Sequence, residues 1–145
     1  MTNITEQDIR QLNSFLRGEL SAVETYEQCI EKMTDTNVVA QLRSLQESHR
    51  RRAELLTDRI RLLGGKPAQG SGVWGSFAKL AEGSAKVFGE SAAVSALEEG
   101  EDHGRDDYQR DVDKLSPAER HFIVNEILPE QQRTHDALSR IESMT

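Results

Sequence analysis

The stretch Ser95-Ala96-Leu97-Glu98-Glu99-Gly100-Glu101-Asp102-His103-Gly104-Arg105-Asp106-Asp107-Tyr108 decides the fold. Val94, Leu97, Glu101, Gly104, Tyr108, Val112 and Leu115 recur at helical spacing, so the stretch lies inside a helix expected over about 90–114. Glu101 interrupts the apolar stripe of that helix. Gly100 and Gly104 need a reason, because a glycine in a helix interior costs about 1 kcal/mol relative to alanine. Close approach of a neighbouring helix is the favoured reason; room for a ligand beside Glu101 is the other.

Three more helices are expected on either side of it. The first, about 5–33, is capped by Thr5 and carries the stripe Leu12, Phe15, Leu16, Glu19, Ala22, Val23, Tyr26, Ile30 and Met33. The second, about 37–63, follows the turn at Asp35-Thr36-Asn37, with Val39, Leu42, Leu45, Gln46, His49, Ala53, Leu56, Ile60 and Leu63 on one face. Gly64-Gly65-Lys66-Pro67 ends it by the glycine-then-proline signal. The last, about 117–143, opens with the cap Ser116, Pro117 and the capping-box acid Glu119. Its stripe is Phe122, Val124, Ile127, Leu128, Gln131, His135, Leu138 and Ile141, and Pro129 implies a kink or bulge just before Gln131.

Residues 64–89 form the one long connection. Val73, Trp74, Phe77, Leu80, Ala81, Ser84, Val87 and Phe88 give it a short amphipathic helix over about 73–88. The expected fold is all-α: an antiparallel four-helix bundle of two helical hairpins joined by this crossover, a single domain over 1–145. With the crossover running back along the bundle, both short turns are placed at the same end.

Composition agrees with a helical domain large enough to bury a core. The net charge of −7 argues against nucleic-acid phosphates as partners. His49-Arg50-Arg51-Arg52 reads as a solvated, salt-bridged face, because three successive arginines cannot share one side of a helix. Cys29 is the single cysteine, which fits a reducing compartment. No export signal and no membrane-spanning run is visible, so the expected location is the cytoplasm. Trp74–Phe88 would suit a membrane surface as an amphipathic helix, but a crossover lying along a bundle needs the same pattern.

Glu19, His49, Glu101 and Gln131 each stand about fifteen residues from a short turn, hence at one depth along helices that rise about 1.5 Å per residue. His135 falls one turn further, and Tyr26 and Tyr108 nearer the turns. Carboxylates and imidazoles inside a core are costly unless paired or metal-bound. Glu19, His49, Glu101 and His135 are therefore the candidate metal ligands, and iron or manganese the metals that suit such donors. Two other readings stand beside it: a hydrogen-bonded polar layer, and stripes off by one position so that some of these residues face water. His103 and His121 are assigned to outer faces.

Several blocks carry a family resemblance: Arg17-Gly18-Glu19 with Tyr26, Leu63-Gly64-Gly65-Lys66-Pro67, Gly72-Val73-Trp74-Gly75, Glu98-Glu99-Gly100-Glu101-Asp102 with Tyr108, and Arg133-Thr134-His135-Asp136. Together they resemble a bacterial domain-of-unknown-function family (number 2383) of ferritin-like four-helix bundles. The resemblance implies that fold and no particular activity. The wider ferritin-like class holds two irons with a Glu on each of two helices and a Glu-x-x-His pair on each of the others. On that pattern Glu19 and Glu101 match the lone glutamates, and His49 and His135 the histidines. Gln46 and Gln132 stand where the paired glutamates belong, which puts a full di-iron oxidase in doubt.

The leading expectation is a non-enzymatic structural or stress-associated interaction protein with a polar layer in its core. It would meet a protein partner or a second copy through a bundle face or the Trp74–Phe88 helix. On this reading, changing Glu19 and Glu101 together to apolar residues preserves or raises stability. The alternative is an iron or manganese redox or storage protein with a degenerate site, an iron-dependent oxidase if it is an enzyme.

Overall fold

A computed structural model describes residues 3–70 and 89–144. The short helix expected at 73–88, with Trp74, lies outside the described residues.

Helix α1 (Asn3–Ile30) begins two residues before the expected cap at Thr5. Helix α2 (Thr36–Leu62) starts where Asp35 accepts hydrogen bonds from the backbone N–H groups of Asn37 and Val38. It stops at Gly64, whose φ of +82° suits glycine. Helix α3 (Glu90–Asp111) runs into a 3-10 turn (Val112–Lys114). The last rod has three pieces: α4 (Pro117–Phe122), a π turn (Ile123–Ile127) and α5 (Leu128–Met144). Among the described residues there is no strand, and no helix is long and apolar enough to cross a membrane.

The four rods form an antiparallel bundle in which α1 packs on α2 and α3, and α5 packs on α3 and α2. At one end Thr34 donates from its N–H (2.8 Å) and hydroxyl (2.6 Å) to Glu90 Oε1, joining the first turn to the start of α3. At the other end Asp8 accepts from the N–H (2.9 Å) and hydroxyl (2.5 Å) of Ser116. The two short turns thus lie at opposite ends, not at the same end. A connection that returns along the bundle starts α3 beside the first turn, so the second must fall at the far end. The shared depth of Glu19, His49, Glu101 and Gln131 survives, because a residue at mid-helix is equally far from either end.

Ser116 does not close a capping box. Its hydroxyl is used on Asp8, and Glu119 is buried on Arg59, which donates from Nε (2.5 Å) and Nη2 (2.8 Å). The bulge expected from Pro129 is the π turn. Proline has no N–H to donate, and the widened turn just before it ends with the Leu128 N–H on the Ile123 carbonyl. The widening rotates the stripe: Ile123, Ile127, Gln131, Thr134, Leu138 and Ile141 are buried, while Val124 is 46% exposed and His135 only partly covered.

The apolar core is in two halves. One holds Tyr26, Cys29, Ile30, Leu42, Leu45, Val94, Leu97, Leu138 and Ile141; the other holds Leu12, Phe15, Leu16, Leu56, Ile60, Tyr108, Leu115, Ile123 and Ile127. Between them lies a polar layer.

Candidate functional site

The layer is built on His49. Its Nδ1 lies 2.6 Å from Glu19 Oε1 and its Nε2 2.7 Å from Glu101 Oε2. A carboxylate only accepts, so both ring nitrogens carry protons and the ring is an imidazolium. Each carboxylate then receives a phenol: Tyr26 Oη donates to Glu101 Oε2 and Tyr108 Oη to Glu19 Oε2, both at 2.6 Å. Tyr26 belongs to one half of the core and Tyr108 to the other, so the wire Tyr26–Glu101–His49–Glu19–Tyr108 crosses the layer.

Arg52 is the residue the sequence reading missed. It stands one turn beyond His49, and its side chain is 1% exposed. Nη2 donates to Thr134 Oγ1 (2.9 Å), which donates to Glu101 Oε1 (3.0 Å), and Nη1 is 3.5 Å from Glu19 Oε2. The expectation of a solvated arginine run is therefore corrected at this position. Arg50 and Arg51 are exposed, with Arg50 paired to Glu47, but Arg52 points inward. The signal lay in the spacing: Leu42, Leu45, His49, Arg52 and Leu56 alternate steps of three and four, as a core stripe does.

The charges balance at two against two, and the ionisation follows. Burial pushes the Glu101 carboxyl up, but His49, Arg52 and the Tyr26 hydroxyl more than reverse this and hold it at about 2. Burial acts likewise on Glu19, where Arg52, His49 and the Tyr108 hydrogen bond prevail and lower it. Burial and Arg52 push His49 down, while Glu101 and Glu19 outweigh them and raise it. Tyr26 and Tyr108 are driven well above the ordinary phenol value, by burial first and then by the carboxylate each touches.

A cavity of about 50 Å³ opens beside the layer between α1 and α3, against Gly18, Glu19, His49, Arg52, Glu101 and Gly104. That is room for water molecules and little else. A Cβ built on Gly104 would meet nothing within 4 Å among the described residues. Among the described residues nothing packs closely on this glycine; it lines the slot.

Of the four candidate ligands, Glu19, His49 and Glu101 are brought together and His135 is not. His135 Nε2 lies 2.5 Å from Asp102 Oδ1 and 3.1 Å from Arg105 Nη1, on the outer side of the α3–α5 seam. Thr134 takes the inward position, because the stripe behind the π turn passes through it. His103 and His121 are exposed, as expected.

Comparison with known families agrees with the resemblance. A family model described as "Domain of unknown function (DUF2383)" matches residues 7–114, more than half of the chain. The chain belongs to this family. No curated protein and no solved structure matches it.

Membership carries no assigned chemistry, so any metal must be judged on the donors themselves. His49 lies between the carboxylates, one on each nitrogen, so a single ion cannot take all three without the ring turning. Gln46, one turn before His49, donates to the Val23 carbonyl (3.1 Å) and to Glu27 (3.3 Å), not into the layer. Gln132 is exposed and bonded to Asp136, and Glu130 is held by Ser48 and Arg133. No group of three or more His, Cys, Asp or Glu side chains among the described residues has metal-binding geometry. The residues do not fit a di-iron centre: the bridging carboxylates are missing and a guanidinium stands beside Glu19.

Proposed function

We propose that this DUF2383 member is a non-enzymatic bundle, a structural or interaction protein whose polar layer serves the fold. The carrying observation is the double contact of His49 with Glu19 and Glu101, completed by Arg52. Two fixed cations neutralise two fixed carboxylates, so the layer has no charge left for an ion to satisfy. Buried polar groups of this kind serve to fix how helices register on one another, at some cost in stability. The outer faces of the bundle are then where a protein partner or a second copy is met.

A second reading, a reduced iron or manganese site, is favoured by one observation. The small cavity opens onto the same carboxylates that such an ion would use. Anaerobic loading with ferrous iron or manganese, desalting and mass-spectrometric quantification separates the two. Protein that retains no metal and consumes no oxygen with ferrous iron supports the bundle reading. About one ion per chain, lost in Glu101→Ala, would replace it with the metal reading.

A further inference from the structure

We propose that Tyr26 and Tyr108 form a buried site of reversible one-electron oxidation, each phenol passing its proton to the carboxylate it already touches. The proposal goes beyond the structural role above and does not depend on it.

Three observations converge. The chain has two tyrosines, and both are in this layer, 2% and 4% exposed. Each hydroxyl donates a 2.6 Å hydrogen bond to a carboxylate that is otherwise held by cations. The two carboxylates share one imidazolium, so the two phenols are the ends of a single proton-bearing chain.

A phenol that loses an electron becomes a very strong acid, and oxidation is easiest where a base already waits at hydrogen-bond distance. Here a diffusible one-electron oxidant accepts one electron from the phenol. The Oη–H bond breaks, and its proton crosses to Glu101 Oε2 from Tyr26, or to Glu19 Oε2 from Tyr108. The products are a neutral phenoxyl radical, a carboxylic acid hydrogen-bonded to it, and the reduced oxidant. One electron from a reductant restores the phenol, and the same proton returns. No proton need enter or leave the core. Burial keeps two radicals on different chains from coupling, and the slot beside the layer is too small for most organic solutes.

The test is flash photo-oxidation of the whole protein with ruthenium tris-bipyridine and persulfate, followed by electron paramagnetic resonance of the frozen sample. The expected result is a tyrosyl signal that narrows when the protein is made with ring-deuterated tyrosine. The signal is lost in Y26F/Y108F. In Y108F, which leaves Tyr26 alone, adding Glu101→Gln shortens the radical's lifetime, because an amide cannot take the proton. A signal indifferent to tyrosine deuteration would place the hole elsewhere and overturn the proposal. So would dityrosine cross-links between chains, or a lifetime unchanged by Glu101→Gln. Labelled wild-type protein keeps the test decisive if a variant fails to fold.

Discussion

Arg52 follows His49 by three residues on α2, and the two cations reach the same pair of carboxylates. His49 touches Glu19 and Glu101 directly, whereas Arg52 stands 3.5 Å from Glu19 and reaches Glu101 through Thr134. The layer is one electrostatic unit, and its members cannot be removed singly without leaving a bare charge in the core. Three consequences can be measured.

Arg52→Met leaves two carboxylates facing one cation, and we expect a loss of about 3–5 kcal/mol, the usual cost of breaking a buried ion set by removing one partner. Changing Glu19 and Glu101 together to Leu is not the neutral exchange the sequence suggests. His49 can discharge by losing a proton, but Arg52 cannot, so the double variant is also destabilised. Replacing all four residues by apolar ones of similar volume, with Tyr26 and Tyr108 changed to Phe so that no buried hydroxyl loses its acceptor, restores or raises stability, by up to about 4 kcal/mol. Urea denaturation of the three variants checks this. A double variant as stable as the wild type would contradict the role given to Arg52.

Stability should be greatest in mildly acidic solution. The folded value of Glu101, about 2, is below the ordinary 4.5, so its contribution is complete above 4.5 and is lost as pH falls toward 2. The folded value of His49 is raised above the ordinary 6.5, so its contribution is complete below 6.5 and is lost as pH rises through the raised value. The layer's full contribution therefore falls between 4.5 and 6.5. Denaturation midpoints measured across pH should decline on both sides of that window. His49→Gln should abolish the alkaline decline; a decline that persists in the variant points to another group.

The glycines separate cleanly. Gly104→Ala meets no described residue within 4 Å and should stabilise the protein by about 0.5–1 kcal/mol through helix propensity. Gly65→Ala would put its Cβ 2.7 Å from Ile9 Cγ2, on a stiff β-branched side chain. We expect that substitution to cost about 1–3 kcal/mol by overpacking. Thermal melts of the two variants should move in opposite directions.

Much of this was legible in the sequence, and for physical reasons. Helical periodicity, the Asp35-Thr36-Asn37 turn and the Gly64-Gly65-Lys66-Pro67 stop placed the first hairpin. The depth of the layer was legible because its members sit at mid-helix, where the count is insensitive to which end a turn occupies. Arg52 was hidden by its neighbours: a run of arginines looks solvated until the step-of-three-and-four spacing through Leu45, His49, Arg52 and Leu56 is followed. His135 was drawn inward because the stripe was continued past the Pro129 bulge at ideal helical spacing, although the bulge itself was expected. The four-residue steps Glu119, Ile123, Ile127, Gln131 are the trace of the π turn, and following them leads to Thr134. Asp8, which fixes the second turn through Ser116, pairs across the chain and left no local signal.

The most direct measurement is the charge on His49. Nitrogen-15 resonances of its ring, assigned by comparison with His49→Gln, distinguish an imidazolium from either neutral tautomer and from a metal ligand. The account predicts two protonated nitrogens at neutral pH, each with a hydrogen-bonded proton shifted far downfield, unchanged when ferrous iron or manganese is added. A neutral ring, or a ring whose resonances broaden and shift with added metal, would contradict a layer that balances its own charge.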